Sequence, residues 1–384
     1  MIDPSPLALL SRLVGFDTES SKSNLPLVDF VCAYLDEQGV PYVRLPNAAG
    51  DKAAIYATLG PMVDGGIVLS GHTDVVPVTG QAWTTDPFTL RIADGRAYGR
   101  GAVDMKGFDA IVLSQIPEMK RLPLQRPIHI LLSYDEETTC LGVIDAIRRM
   151  GAEAPRPGVV FVGEPTELEV ADAHKSVVTF VTSVHGHESH SSKPYLGANA
   201  VSGGAALVAE LDRLGDVLRA AGDPSGRFDP PYATVHVGTI HGGTARNIVP
   251  KLCTLHWEVR GVPGTDELGV ARDLTAFGDR VVLPRLRADG WPASIETVMD
   301  VNVPGLKPEP GSAAETLALR LAGRNQTVTV PYGTEAGQFQ RQGLPTVVCG
   351  PGSINQAHQP DEYITLAEID RGVAFIRRLV ESCR

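Results

Sequence analysis

Apolar residues recur at helical spacing near the start of the chain, at Leu7, Leu9, Leu10 and Leu13 and again from Leu25 to Leu35, and both stretches predict helices. The spacing then collapses into short, continuous apolar runs that predict strands over 53–57 and 66–72, the second leading straight into His72. A helix over 108–122, a strand over 128–134, a short helix ending near Gly151 and a strand over 159–162 follow. Strands that alternate with helices and are apolar along their whole length predict a largely parallel sheet with helices on both faces.

The pattern changes after residue 176. Residues 177–184 predict a strand, 198–221 a long amphipathic helix, 232–240 and 251–260 two strands, 265–277 a helix and 294–299 a strand. Within 251–260, Cys253, Leu255, Trp257 and Val259 alternate with Thr254, His256, Glu258 and Arg260, as in an antiparallel sheet with one buried face. The order β-α-β-β-α-β describes a self-contained, ferredoxin-like α+β unit. The α/β pattern resumes with a helix over 313–323, strands over 327–330 and 345–349 and a helix over 366–382. The expected organisation is an α/β domain of residues 1–176 and 300–384, interrupted by an α+β domain of residues 177–299.

A length of 384 residues suits two domains, and 43% hydrophobic with 21% charged residues excludes extensive disorder. No apolar run approaches a membrane span and no basic, signal-like start is present, so a cytoplasmic protein without membrane contact is expected. Five scattered cysteines without a Cys-x-x-Cys spacing argue against a disulfide framework or zinc ribbon. A net charge of −11 without basic clusters argues against nucleic acid as a partner.

Candidate chemistry lies where predicted strands end. Ser70-Gly-His-Thr-Asp74 brings a His-x-Asp pair, in which a carboxylate can hold the free ring N–H of a metal-bound imidazole. Gly99-Arg-Gly-Ala-Val-Asp-Met-Lys-Gly107 places Asp104 among glycines, Asp135-Glu-Glu137 ends the next strand, and Val162-Gly-Glu-Pro-Thr166 ends another with Glu164. His358 follows in the polar loop after Cys349. Each motif alone also reads as an ordinary turn or solvated acidic loop. Together they supply two imidazoles and three ligand carboxylates beside a further Glu, a set suited to two divalent ions sharing one carboxylate.

This order of motifs resembles the co-catalytic di-zinc amidohydrolase and aminopeptidase family over nearly the whole chain. Within it, Thr334-Glu-Ala336 and the tail Gly350-Pro-Gly-Ser-Ile-Asn-Gln-Ala-His-Gln-Pro-Asp-Glu-Tyr363 are most similar to its acetylornithine deacetylase branch. The resemblance implies a catalytic di-metal domain with His72 and Glu164 on one Zn2+, Glu137 and His358 on the other, and Asp104 bridging. Co2+ or manganese could also suit such ligands. It further implies that Asp74 orients His72, that Glu136 is the general base toward a water shared by the ions, and that the Asp104-Met105 peptide is cis.

The inserted domain becomes, on the same resemblance, a lid and homodimerisation domain whose His190 stabilises an oxyanion in the partner subunit's site. A surface histidine cluster is the alternative for 185–190. Asn247 and Arg260 are expected near a substrate carboxylate, although Arg260 could simply pair with Glu258. Gly333 and Thr334 are expected to offer donors from the catalytic domain, and Glu335 to hold the δ-ammonium of ornithine. The implied reaction is hydrolysis of N-acetyl-L-ornithine to L-ornithine and acetate in arginine biosynthesis. Another N-acyl amino acid, such as acetylcitrulline or succinyl-diaminopimelate, is the nearest alternative, and a non-catalytic binding protein of the same fold a more distant one.

Overall fold

The computed structural model describes residues 2–384, which divide into two compact units. The first comprises residues up to Ala173, Leu306–Thr329 and Thr334–Arg384; the second comprises His174–Gly305 and Val330–Gly333.

An eight-stranded sheet dominates the first unit, in the order Tyr42–Pro46, Ala53–Leu59, Ile128–Ser133, Gly66–His72, Pro157–Pro165, Thr346–Gly350, Ala171–His174 and Val328–Val330. Ile128–Ser133, Gly66–His72, Pro157–Pro165 and Thr346–Gly350 pair in parallel, and antiparallel pairing flanks them. Every residue of Gly66–His72 and Ile128–Ser133 is buried, which explains why these strands read as unbroken apolar runs. Ile67, Leu69, Ile130, Leu132, Phe161 and Val347 share one core with Leu10 and Leu13 of the helix Pro6–Val14, Ile111 of Lys106–Ser114 and Phe375 of Leu366–Glu381.

The strand Gly66–His72 has the next strand of this sheet along the chain, Ile128–Ser133, on one side and Pro157–Pro165 on the other. The winding of the sheet therefore reverses at this strand, and a crevice opens at the carboxyl ends of parallel strands where such a reversal occurs. His72 is the last residue of that strand.

The predicted helix over 108–122 is two helices, Lys106–Ser114 and Ile116–Arg121. Pro117 lacks the N–H that would continue the first ladder. Strands at Tyr42–Pro46 and Ala171–His174, and a small sheet of Arg91–Ala93, Arg96–Tyr98 and Tyr363–Thr365, lie outside the sequence expectation.

The second unit holds an antiparallel sheet in the order Thr234–Gly242, Leu252–Arg260, Val177–His185 and Ser294–Val303. With the helices Ala200–Ala221 and Glu267–Phe277 it follows the β-α-β-β-α-β order read from the sequence. Cys253, Leu255, Trp257 and Val259 are buried in its core with Leu207, Leu211 and Leu274. Trp257 stacks on Phe180 with ring centroids 4.3 Å apart and donates from Nε1 to Thr182 Oγ1 at 2.9 Å. The long helix starts at Asn199, whose side chain accepts from the Ser202 N–H.

All five cysteines are free and buried. Among the described residues no helix is long and apolar enough to cross a membrane.

Candidate metal centre

Five chain segments bring their polar residues together at the carboxyl ends of the parallel strands. His72 Nε2 lies 3.1 Å from Asp104 Oδ1, 3.7 Å from Glu164 Oε1 and 3.9 Å from Glu136 Oε2. His358 Nε2 lies 3.1 Å from Asp104 Oδ2 and 3.1 Å from Glu137 Oε2. The two oxygens of Asp104 thus face two different imidazoles, one on each side. All six of these residues, which the sequence singled out from five separate motifs, meet in one cluster.

Asp104 lies in a stretch of unusual backbone conformation. Gly101 adopts φ +80°, a left-handed conformation that suits glycine, and the Asp104-Met105 peptide is cis. His358 itself sits at φ +61°, unusual for a residue with a side chain.

The role of Asp74 differs in detail from the sequence expectation. His72 Nδ1 is 2.9 Å from the Asp74 backbone carbonyl, whereas the Asp74 carboxylate is 3.6 Å away. That carboxylate accepts from Ser20 Oγ at 2.7 Å and from the N–H groups of Glu136 and Glu137 at 3.2 and 3.3 Å. It ties the acidic pair to the His72 strand end, because a residue leaving a strand can satisfy the neighbouring loop as readily as the ring beside it. Cys140 closes the same turn, with Sγ 3.4 Å from Glu136 Oε1.

The charges of the cluster do not balance internally. Burial, reinforced by Glu137 and Asp104, pushes the Glu136 carboxyl well above its usual range, and burial with Asp104 and Glu136 does the same to Glu164. Burial and Asp104 raise Glu137 to about 7. Burial opposes the charged form of His72, but hydrogen bonds to Asp104 and Asp74 outweigh it and hold its pKa well up. Asp104 and then Glu137 hold His358 up at about 10. Burial resists ionisation of Asp104 too, yet the two imidazoles keep its carboxyl below the ordinary range. These carboxylates crowd together at a cost that protons or cations must relieve.

The donor set fits divalent cations. His72, Glu136 and Glu164 offer ligand atoms within 4.8 Å of one another, as do His72, Asp104 and Glu137. Oε1 of Glu137 and Oε1 of Glu164 are buried without a hydrogen-bond partner. A buried carboxylate oxygen lacking a donor is a costly arrangement that a coordinated ion resolves.

The residues expected to contact substrate are placed differently. Arg260 donates to Glu258 at 2.8 Å from Nε, the surface pair that the strand pattern allowed. Glu335 is 1% exposed, and its two oxygens accept from Ser70 Oγ and, at 2.7 Å, Ser133 Oγ. It is sunk between two strands rather than presented to an incoming ammonium group, because its neighbour Ala336 begins a helix packed on the sheet. Thr334 Oγ1 is buried and accepts from the Ala336 N–H at 3.0 Å, and Gly333 groups with the second unit rather than the first. His190 Nδ1 is 2.8 Å from Ser192 Oγ on an exposed turn. That turn pairs with the 247–248 segment through a His190–Ile248 bridge and a 3.0 Å bond from Ser191 N to the Asn247 carbonyl.

Sequence reasoning missed Glu362, Arg100 and Gln81. Glu362 Oε1 accepts from the N–H groups of Val103 and Asp104 at 3.0 and 3.2 Å, and Arg100 Nη1 donates to its Oε2 at 2.6 Å. The charged residues inside Gly99-Arg-Gly101 and Pro360-Asp-Glu362 were the available signal, since loops rarely bury such groups unless paired.

The family model for peptidase family M20/M25/M40 matches residues 68–382. An acetylornithine deacetylase of Pasteurella multocida is 34% identical over 98% of this chain and 97% of its own length. One from Salmonella paratyphi B is 38% identical over 90% of this chain and 88% of its own. Among solved structures, aminopeptidase PepT of Bacillus cereus superposes with a TM-score of 0.75 at 19% identity over 100% of this chain and 99% of its own. A family M20 metallo-carboxypeptidase of Sulfolobus solfataricus does so with 0.74 at 17% identity over 98% of each chain. These structural likenesses bear on the fold.

Proposed function

The chain belongs to peptidase family M20/M25/M40 and is a metal-dependent amidohydrolase; from that premise we propose that it hydrolyses N-acetyl-L-ornithine to L-ornithine and acetate. The observation that carries the catalytic part is Asp104, with Oδ1 3.1 Å from one imidazole and Oδ2 3.1 Å from another, flanked by carboxylate oxygens that lack donors. The substrate rests on the relatives named acetylornithine deacetylase, which match over nearly the whole chain.

In this reading His72 and Glu164 hold one Zn2+, Glu137 and His358 hold a second, and Asp104 serves both. When bound, the two cations polarise the scissile carbonyl and bring the pKa of a water toward about 7. Glu136 takes the proton of the attacking water and later delivers it to the leaving amine, a role suited to a carboxylate whose Oε2 lies 3.9 Å from His72 Nε2 at the edge of the donor set. Asp74 keeps the Glu136–Glu137 backbone and the His72 ring in register. The second unit acts as lid and homodimerisation domain and brings His190 to the oxyanion of the partner subunit's reaction. Asn247 and Arg260 remain its candidates for the substrate carboxylate, Arg260 after exchanging its Glu258 partner.

The test is a panel of N-acetyl-ornithine, N-acetyl-citrulline, N-acetyl-methionine and N-succinyl-diaminopimelate, with release of free amine followed with zinc and with chelator. Highest kcat/KM on N-acetyl-ornithine is expected. Preference for another member moves the substrate and keeps the chemistry, whereas chelator-insensitive or absent turnover on all of them overturns the reading.

A further inference from the structure

Asp104 and His358 lie on loops far apart in sequence, and a single polar relay joins them. Gln81 Nε2 donates to the His358 backbone carbonyl at 3.0 Å. Gln81 Oε1 accepts from Arg100 Nη2 and, at 3.0 Å, from Trp83 Nε1. Arg100 passes the connection to Glu362 Oε2 at 2.6 Å, and Glu362 Oε1 accepts from the N–H of Asp104 at 3.2 Å. The backbone of His358 is thereby tied to the backbone of Asp104 through three side chains.

Neighbouring bonds tighten the same joint. Thr84 donates from N and Oγ1 to the Asp361 carboxylate at 3.0 and 2.6 Å, and Gly99 N donates to the Glu362 carbonyl at 2.9 Å. His358 and Asp361 both hold left-handed backbone conformations, at φ +61° and +56°. Non-glycine residues persist there when their surroundings fix them, and contacts from the 81–84 loop reach both.

Arg100 and Glu362 are each 1% exposed. A buried ion pair of this kind adds little net stability compared with apolar residues of the same volume, so holding the fold together does not account for it. What it does specifically is set the Asp104 amide relative to the His358 carbonyl.

We propose that Gln81, Arg100 and Glu362 form a positioning relay that sets the ion-binding geometry shared by Asp104 and His358, and that it governs the affinity of the ion on the His358 side selectively. The proposal rests on the two-ion reading given above. Partners that orient metal ligands typically change affinity by about 10–100-fold when removed. Gln81 is half-buried on a surface loop and uncharged, so its replacement is the cleaner probe, whereas replacing Arg100 or Glu362 also leaves the partner's buried charge unpaired.

The experiment measures the two stepwise zinc dissociation constants of the full-length apoprotein by competition with a fluorescent chelator. Proteins compared are wild type, Gln81→Leu, Glu362→Gln, the double variant, His358→Ala, and His358→Ala with Gln81→Leu. Gln81→Leu is expected to weaken one constant by about 10-fold or more while the other stays within about threefold, and Glu362→Gln, which also alters the hold on the Asp104 amide, to weaken that same constant at least as much. The double variant should weaken it by less than the product of the single effects, because both act through one relay. In the His358→Ala background, Gln81→Leu should leave the remaining ion's affinity unchanged. Equal weakening of both ions by Gln81→Leu, multiplicative single effects, or a loss from Gln81→Leu that persists without His358 would overturn the relay. A wild-type protein that binds one ion would instead remove the two-ion reading beneath it, and a lowered apoprotein unfolding midpoint with unchanged affinities would assign the three residues to the fold alone.

Discussion

Replacing Glu137 by Gln should stabilise the metal-free protein while crippling its metal site. Burial and the nearby Asp104 raise the Glu137 carboxyl from 4.5 to about 7 in the folded chain. Between those values the folded state holds a proton that the unfolded state has lost, so stability is fully present below 4.5 and declines as pH rises toward 7. At about 1.36 kcal/mol per pH unit, the decline has a ceiling of about 3 kcal/mol. The side chain is only 8% exposed, so solvent does little to reduce it. Glutamine does not titrate and escapes the decline. It forfeits the 3.1 Å pair with His358, whose side chain is half exposed, at a cost of at most about 1 kcal/mol. Urea unfolding of chelator-treated proteins should therefore show near equality at pH 5 and a variant about 2 kcal/mol more stable at pH 7. Added zinc should reverse the order, since the variant has lost a ligand. A stability difference that does not grow with pH, or that grows against the variant, would refute the electrostatic reasoning.

Other substitutions probe different parts of the account. Glu136→Gln should lower kcat by about 10²–10⁴-fold with zinc stoichiometry unchanged, as kinetics and metal analysis of the same samples would show. Gly71→Ala should destabilise by about 1–3 kcal/mol in denaturant titration, because the new Cβ would lie 2.2 Å from the buried Asp109 Oδ1. Ser133→Ala removes the donor to Glu335 Oε2 and should cost about 1–3 kcal/mol of stability by the same assay. Glu335→Gln should change KM for N-acetyl-ornithine and N-acetyl-norvaline equally, since its oxygens face Ser70 and Ser133; a selective effect on ornithine would restore it as an ammonium contact.

The strands that carry the site were legible because their burial on both faces makes them unbroken apolar runs, and a His or Glu at the end of such a run has few structural reasons to be there. The antiparallel second unit was legible for the complementary reason: Cys253, Leu255, Trp257 and Val259 alternate because one face is covered by helices. Arg91–Ala93 and Arg96–Tyr98 escaped because three-residue strands are too short to establish a period. The merged helix over 108–122 was a misjudgement of Pro117, whose missing N–H outweighed the apolar spacing around it. Metal-ligand candidates were found by residue type and strand position, which sequence records directly. Which partner a polar side chain finds is not recorded there: Glu335 meets Ser70 across 265 positions and Arg100 meets Glu362 across 262. Glu335 was accordingly read as a substrate contact, and the relay through Arg100 was not read at all.

The most direct test of the central claim is stepwise addition of zinc to metal-free protein while acetate release from N-acetyl-L-ornithine is followed. Activity absent at the start, rising with added ion and levelling at two equivalents per chain is the result that a site organised around a shared Asp104 predicts. Full activity before any metal is added, or none on this substrate at saturating zinc while N-acetyl-methionine is cleaved, would contradict the metal requirement or the substrate respectively.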